Sequence, residues 1–251
     1  MTVSSQSIPL DDFDAVLFDL DGVLTETATV HTACWRQTFD EFLERWNRET
    51  GGSQPLFDAD ADYKRFVDGK PRYDGVRDFL ASRNITLAEG SDDSPADEDS
   101  VHGIGNRKDL LVHETLERDG VVPFQGSVAW IKELQAAGKK LAVVSSSKNC
   151  ALVLQAAQMT GDFSVRVDGV VAAERGLPGK PAPDTFLEAA RELGVEPTRA
   201  IVVEDALSGV AAGSAGGFGL VIGVDRHGDA NELLSHGADI VVTDLQELVT
   251  A

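Results

Sequence analysis

The chain has 251 residues and a formal charge of −20, from 22 Lys and Arg against 42 Asp and Glu, with 42% apolar and 25% charged residues. That length and apolar content support a buried core and exclude a wholly disordered chain. The acid excess argues against nucleic acid or an anionic membrane surface as a partner, since both are polyanions.

The N-terminal segment MTVSSQSIPLDDFD has neither a basic region nor an apolar one, so no secretory signal is expected. The first short apolar run is AVLFD at 15–19, and four more follow late in the chain: LAVVS (141–145), AIVVE (200–204), GLVIGV (219–224) and DIVV (239–242). Runs of this length, rich in β-branched residues and ending abruptly at polar ones, predict strands buried on both faces. Amphipathic segments at 127–137, 149–158, 184–193, 207–214 and 229–236 lie between or beside the later runs. Strand alternating with helix predicts an α/β fold, a Rossmann-like parallel sheet with helices on both faces.

The alternation is interrupted once. Between the first run and the helix at 127, Val30, Cys34, Trp35, Phe39, Phe42, Leu43 and Trp46 recur at spacings of three and four, and further helices are predicted at 74–82 and 106–118. Residues 29–121 therefore read as an inserted all-helical domain, and 1–28 with 122–251 as the α/β core. Within the insertion, EGSDDSPADED at 89–99 places six acids in eleven positions and reads as a solvated, mobile loop. The nineteen uncharged residues at 206–224 imitate a membrane span, but six glycines break them, and a helix, a turn and a strand are expected instead. Cys34 and Cys150 have no metal-ligand or CxxC spacing and read as reduced thiols of a cytoplasmic protein. His102, His113, His227 and His236 share no ligand spacing either.

In open α/β sheets, ligands bind beyond the carboxyl ends of the strands. There the sequence has Asp19-Leu20-Asp21-Gly22, Ser145-Ser146-Ser147-Lys148-Asn149 and Glu204-Asp205, with Lys180 in a Gly-Lys-Pro between the last two. Each signal alone has an ordinary explanation as a cap or turn. Their conjunction points to chemistry. Clustered carboxylates need a hard cation, and an oxygen-only set suits Mg²⁺, which also accepts a phosphate oxygen. A carboxylate attacking an anionic phosphorus needs that cation and a lysine. Serine hydroxyls and backbone N–H groups can hold the phosphoryl oxygens, and a second carboxylate can serve as acid and base.

The four motifs in order, DLDGVLTET (19–27), VVSSSKN (143–149), GKPAPD (179–184) and VVEDALSG (202–209), resemble the haloacid dehalogenase-like phosphotransferases with a helical cap. The resemblance implies Asp19 as nucleophile and Asp21 as acid/base. It implies Mg²⁺ held by Asp19, the backbone carbonyl of Asp21 and Asp205, with Glu204 nearby, and the transferring phosphate bound by Ser145 and Lys180. Within the superfamily, Thr25-Glu26-Thr27-Ala28 followed by His31 and Trp35 resembles the β-phosphoglucomutase-like subfamily. That implies interconversion of β-glucose 1-phosphate and glucose 6-phosphate through a bisphosphate. Thr27, His31 and Lys108 would position the acid/base, while Ser147, Lys148, Asn149 and Arg72 would hold the non-reacting phosphate. Closure about hinges near Thr25–Ala28 and Gly120–Pro123 would exclude water. One departure stands out: the cap reads Asp68-Gly69-Lys70 where the subfamily commonly has a lysine beside the glycine. The expected alternatives are a sugar-phosphate phosphatase of the same superfamily and a non-catalytic phosphosugar sensor. A monomer acting on a small sugar phosphate is expected.

The charge divides unevenly. The core carries −12 and the insertion −8, of which the 89–99 loop supplies six charges. Affinity for a phosphate must therefore come from a metal and a few local cations.

Overall fold

The structure, a computed structural model, describes residues 8–250. The expectation about the N-terminal segment falls partly on residues 1–7, outside the described residues. In chain order, β1 (Ala15–Phe18) leads to α1 (Thr27–Thr50), α2 (Arg72–Ser82) and α3 (Val101–Asp119). Then follow α4 (Gln125–Ala136), β2 (Lys140–Val144), α5 (Cys150–Ala156), β3 (Val165–Val167), α6 (Gly169–Arg175) and α7 (Asp184–Leu193). The chain ends with β4 (Ala200–Glu204), α8 (Leu207–Ala215), β5 (Leu220–Val224), α9 (Ala230–Ser235) and β6 (Ile240–Val242). It divides into two compact units, Met1–Glu26 with Val121–Ala251, and Thr27–Gly120.

In the first unit the six strands are all parallel, in the order β3-β2-β1-β4-β5-β6. Register places Leu17 beside Ala142 and Val202, and every residue of β1 is buried, as expected of a strand covered on both faces. One face, with Ala15, Leu17, Ala142, Val144, Ala200 and Val202, packs against Phe186, Ala189 and Leu193 of α7 and Val210 and Ala212 of α8. On the other, Phe18 meets the α4 indole of Trp130 edge-to-face at 5.6 Å. The chain order reverses at β1, between β2 and β4, so the segments that leave these three strands diverge there and open a crevice.

Two elements of this unit were not expected from the sequence. β3 is only Val-Arg-Val at the sheet edge, with Arg166 exposed at its centre, so no apolar run marks it. α6 buries no residue fully and carries no amphipathic stripe. It is delimited instead by its ends: the Asp168 carboxylate accepts the N–H groups of Val170 and Val171, and Gly176 closes it at φ 64°. The glycine-broken stretch at 206–224 folds as α8, a turn and β5, and no described helix is long and apolar enough to cross a membrane.

The second unit is helical. Cys34, Trp35, Phe39, Phe42 and Leu43 of α1 are buried as the periodicity predicts, while Val30 and Trp46 are only half-buried. Phe39 lies at the centre of this core, with ring centroids 5.1 Å from Trp35, 5.2 Å from Phe57 and 4.0 Å from Phe79. α3 begins five residues before the expected 106, at Val101, capped by Ser100, whose Oγ accepts the Gly103 N–H at 3.0 Å. Gly103 and Gly105 obscure the periodicity there, yet a Cβ on Gly105 would lie 2.7 Å from the Tyr73 ring, so the helices approach closely because that position has none. An irregular segment with a short helical turn at Tyr63–Val67 joins α1 to α2.

The acidic loop is mostly exposed, as expected, but it is held at several points. Arg45 pairs with Asp99, Arg77 with Glu89, and His102 lies 3.1 Å from Asp92. The Asn106 amide also donates to the carbonyls of Asp92 at 3.1 Å and Ser94 at 2.8 Å. Two of its six acids, Glu89 and Asp99, are therefore countered by arginines of the same unit.

Candidate active site

The strand ends of the first unit bring together the acidic residues singled out in the sequence. Asp19 follows β1, Glu204 ends β4 and Asp205 follows it, and one carboxylate oxygen from each lies within 4.8 Å of the others. Lys180 joins three strands at this point. Its Nζ donates to Asp19 Oδ1 at 2.5 Å, to Glu204, and to the Val144 carbonyl of β2 at 3.2 Å. Lys180 and Glu204 are fully shielded and Asp19 nearly so.

The electrostatics follow from burial. Desolvation raises the Asp19 carboxyl well above the usual carboxylate range; Lys180 pulls it back, while Glu204 and Asp21 push it further up. Burial alone would favour neutral Lys180, but Asp19 and Glu204 outweigh it, so the ammonium holds its proton more tightly than free lysine. Two carboxylates thus share one ammonium with Asp205 close by, an excess of negative charge that a further cation would relieve.

The donor set fits such a cation. It is all oxygen, it is largely buried, and the backbone makes room for it: Gly22, at φ 89°, approaches so closely that a Cβ there would lie 1.8 Å from Asp205 Oδ2. Within the cluster, Glu204 already accepts from Lys180 through Oε1 and from the N–H groups of Asp205 and Ala206 through Oε2, both at 3.1 Å. It anchors the lysine and the turn into α8. Asp21 contributes no carboxylate to the three-residue cluster, and the role expected of it there rests on its backbone carbonyl.

The serine segment lies at the end of β2, which pairs with β1. Ser145 is buried, and its Oγ accepts the Ser147 N–H at 3.1 Å, while Ser147 Oγ accepts the Asn149 N–H at 3.1 Å. These bonds coil residues 145–149 into a compact turn ahead of α5. Ser146 and Lys148 lie in this turn, and the start of α6 presses on it: a Cβ on Gly169 would lie 2.7 Å from the Ser146 carbonyl.

In the second unit, α1 supplies Thr27 and His31, both buried, and α3 supplies Lys108. Lys108 Nζ lies 2.5 Å from His31 Nδ1 and 5.1 Å from the Trp35 ring centroid, so two of the expected residues meet inside this unit. Arg72, the first residue of α2, is ion-paired with Asp109 of α3, the neighbour of Lys108. Lys70 is bound to Asp78 at 2.6 Å, so its charge serves an ion pair within the unit. Both cysteines are buried, and burial pushes their thiols up, which fits an unreactive role.

Several further residues shape the site, and two of them, Ser127 and Arg226, stand in no sequence motif. Thr25 Oγ1 donates to the Leu20 carbonyl at 3.3 Å, Ser127 Oγ to the Val23 carbonyl at 2.7 Å, and Arg226 Nε to the Gly22 carbonyl at 2.7 Å. Gly209 is another, since a Cβ there would lie 1.8 Å from Glu204 Oε1. Thr25 and Gly22 carried a local signal as members of the first motif and Gly209 as the last residue of the fourth, whereas Ser127 and Arg226 carried none.

Comparison with known proteins places this geometry. The family model for haloacid dehalogenase-like hydrolases matches residues 13–217. The chain is 50% identical over 238 residues to a Mycobacterium bovis protein named β-phosphoglucomutase, covering 94% of this chain and 91% of that one. It is 30% identical to hexitol phosphatase A of Escherichia coli, covering 92% of this chain and 91% of the relative. Among solved structures, a β-phosphoglucomutase from Clostridium difficile aligns with a TM-score of 0.72 at 24% identity, covering 94% of this chain and 93% of the other. The extent of the match, together with the carboxylate–lysine cluster at the ends of a parallel sheet, establishes that the chain belongs to the haloacid dehalogenase-like hydrolase family.

Proposed function

We propose that this protein is a Mg²⁺-dependent β-phosphoglucomutase that works through an aspartyl-phosphate on Asp19. The observation that carries this reading is the 50% identity to a protein of that name over 94% of the chain. The site is compatible with it in chemical terms. Asp19 attacks the phosphorus of the donor, forming an Oδ–P bond as the bond from phosphorus to the sugar oxygen breaks. Asp21 gives its proton to the departing oxygen and later takes one from the hydroxyl that attacks the aspartyl-phosphate. Lys180, held by Glu204, offsets the negative charge that gathers where two anionic groups approach. Ser145 binds the transferring phosphoryl oxygens.

Asp19, the Asp21 carbonyl and Asp205 would hold the Mg²⁺, with Glu204 beside them. When bound, the ion supplies Lewis-acid polarisation of the phosphoryl group and screening of the nucleophile.

A mutase must accommodate a bisphosphate in two orientations. Ser147, Lys148 and Asn149 of the core, with Arg72 of the helical unit, are proposed to hold the phosphate that does not react. Thr27, His31 and Lys108 are proposed to position Asp21 for proton transfer. The protein is proposed to be a cytoplasmic monomer.

The test is product partition. Protein incubated with β-glucose 1-phosphate, Mg²⁺ and a trace of the 1,6-bisphosphate should yield glucose 6-phosphate in large excess over inorganic phosphate. Stoichiometric phosphate release with negligible glucose 6-phosphate would establish a phosphatase instead, as the hexitol phosphatase relative is named.

A further inference from the structure

Arg226 lies just beyond β5, outside every motif. The Asp225 carboxylate accepts the N–H groups of His227 at 3.1 Å, Gly228 at 2.7 Å and Asp229 at 2.8 Å, which turns the chain sharply after the strand. Beside this turn, the Arg226 guanidinium lies over the Phe124 ring, 3.7 Å from its centroid. Its Nε donates to the Gly22 carbonyl at 2.7 Å and its Nη1 to the Thr243 carbonyl at 3.0 Å, and only 15% of the side chain is exposed. A guanidinium so stacked and doubly bonded has little freedom.

What it grips is the weak point of the nucleophile loop. Gly22 is the one residue there at positive φ, 89°, and without a Cβ it can rotate the peptides on either side at little cost. The Asp21–Gly22 peptide is held by the Gly22 N–H, which donates to the Thr25 carbonyl at 2.8 Å. The next peptide is held by Arg226. The two after that are held by Ser127 on the Val23 carbonyl and by the Phe124 N–H, which donates to the Leu24 carbonyl at 3.0 Å. With the planes on both sides of Gly22 fixed, the direction of the Asp21 carbonyl and the gap into which the Asp205 carboxylate fits are fixed with them.

We propose that Arg226 is a positioning residue for the divalent-cation site, locking the Gly22 peptide so that the Asp21 carbonyl and the Asp205 carboxylate keep one mutual arrangement. The proposal rests on the metal reading of the site given above and is independent of which sugar is used.

The test is titration calorimetry of the full chain with MgCl₂ alone. Arg226→Met keeps an apolar side chain over Phe124 but removes every donor. Loss of a residue that orients metal ligands typically costs ~10–100-fold in affinity, so its Kd for Mg²⁺ should rise about tenfold or more. Arg226→Lys, which can restore one donor, should recover part of that loss. Leu134→Ala, which empties space under α4, lowers stability without touching Gly22 and should keep the wild-type Kd. A Kd for Arg226→Met within twofold of wild type, or weakened only as much as in Leu134→Ala, would overturn the proposal. Where Arg226→Met does not fold, Arg226→Gln decides on the same criterion. Turnover is followed in parallel. A wild type that binds Mg²⁺ but forms no glucose 6-phosphate removes the mutase reading and leaves the Arg226 comparison standing; a wild type that takes up no Mg²⁺ overturns the proposal.

Discussion

Replacing Gly209 by alanine tests whether the lysine anchor is locked. Gly209 is the third residue of α8, and alanine in a helix interior is favoured over glycine by about 0.8–1 kcal/mol, so propensity alone predicts a gain. The space says otherwise. The added Cβ would lie 1.8 Å from Glu204 Oε1 and 1.9 Å from its carboxyl carbon. Glu204 is fully buried and bonded to Lys180 and to two backbone N–H groups, so it can move only by giving up those partners. Overpacking costs about 1–3 kcal/mol, and disrupting a buried ion pair costs about 3–5 kcal/mol when a partner is lost outright. Since the carboxylate is displaced rather than deleted, the net loss should be about 2–4 kcal/mol after the propensity gain. A domain of this size shifts by about 2–4 °C per kcal/mol, so scanning calorimetry should show Tm lower by about 5–15 °C. Gly161→Ala is the control, because nothing lies within 4 Å of its added Cβ; it should stay within about 0.5 kcal/mol of wild type. Turnover at 25 °C should fall about 10²-fold in Gly209→Ala, the loss that follows when a reacting group is misplaced by about 1 Å. A Gly209→Ala protein with wild-type Tm and wild-type turnover would show that Glu204 is not locked and that the reasoning fails.

Other expectations follow from the same geometry. Asp19→Asn should abolish turnover in a coupled glucose 6-phosphate assay, and activity near wild type would remove Asp19 as nucleophile. Asp21→Ala should retain the fold by circular dichroism but lose about 10²–10⁴-fold in kcat, the usual contribution of general acid–base help. Chelation by excess EDTA should stop turnover and added Mg²⁺ restore it, whereas turnover that survives chelation would refute the metal requirement. Metal and pH are linked with a definite sign. Burial lifts Asp19, so the folded chain holds that proton more tightly than the unfolded one, and the stability this contributes is present at low pH and lost as pH rises through the raised value. Mg²⁺ binds the deprotonated carboxylate, so the Tm gained on adding it should grow as pH rises through the raised value of Asp19; a constant gain would contradict the assignment. Arg72→Ala should raise KM for the bisphosphate more than it lowers kcat, and Arg72→Lys should restore only part, because lysine lacks the planar fork.

The sequence by itself determined the parallel α/β core, since each of the runs AVLF, LAVV, AIVV and LVIGV is apolar over a strand's length and can be buried on both faces. It also marked the inserted helical unit through the three-and-four spacing from Cys34 to Leu43. The chemistry was legible because it lies at strand ends, where Asp19, Ser145 and Glu204 interrupt apolar runs and stand out against them. β3 and α6 were illegible for the converse reason: an edge strand with Arg166 exposed and a helix that buries no residue leave no periodicity to read. The acidic loop looked unattached because composition records charge and not its partners, and Arg45, Arg77 and His102 come from other parts of the fold.

Only the tertiary structure decided how the site is held. Lys180 is 161 positions from Asp19 and 24 from Glu204, and nothing local to GKPAPD says that one ammonium bridges both. Gly209 closes the fourth motif, but nothing in VVEDALSG says that the Glu204 carboxylate lies in the space its Cβ would occupy. Arg226, 204 positions from Gly22, stands in no motif, and only the fold brings it against the nucleophile loop. Sequence patterns report which residue types can perform a reaction and which faces must be buried. The contacts that fix those residues in place run between segments distant in the chain, and they exist only once the sheet has assembled them.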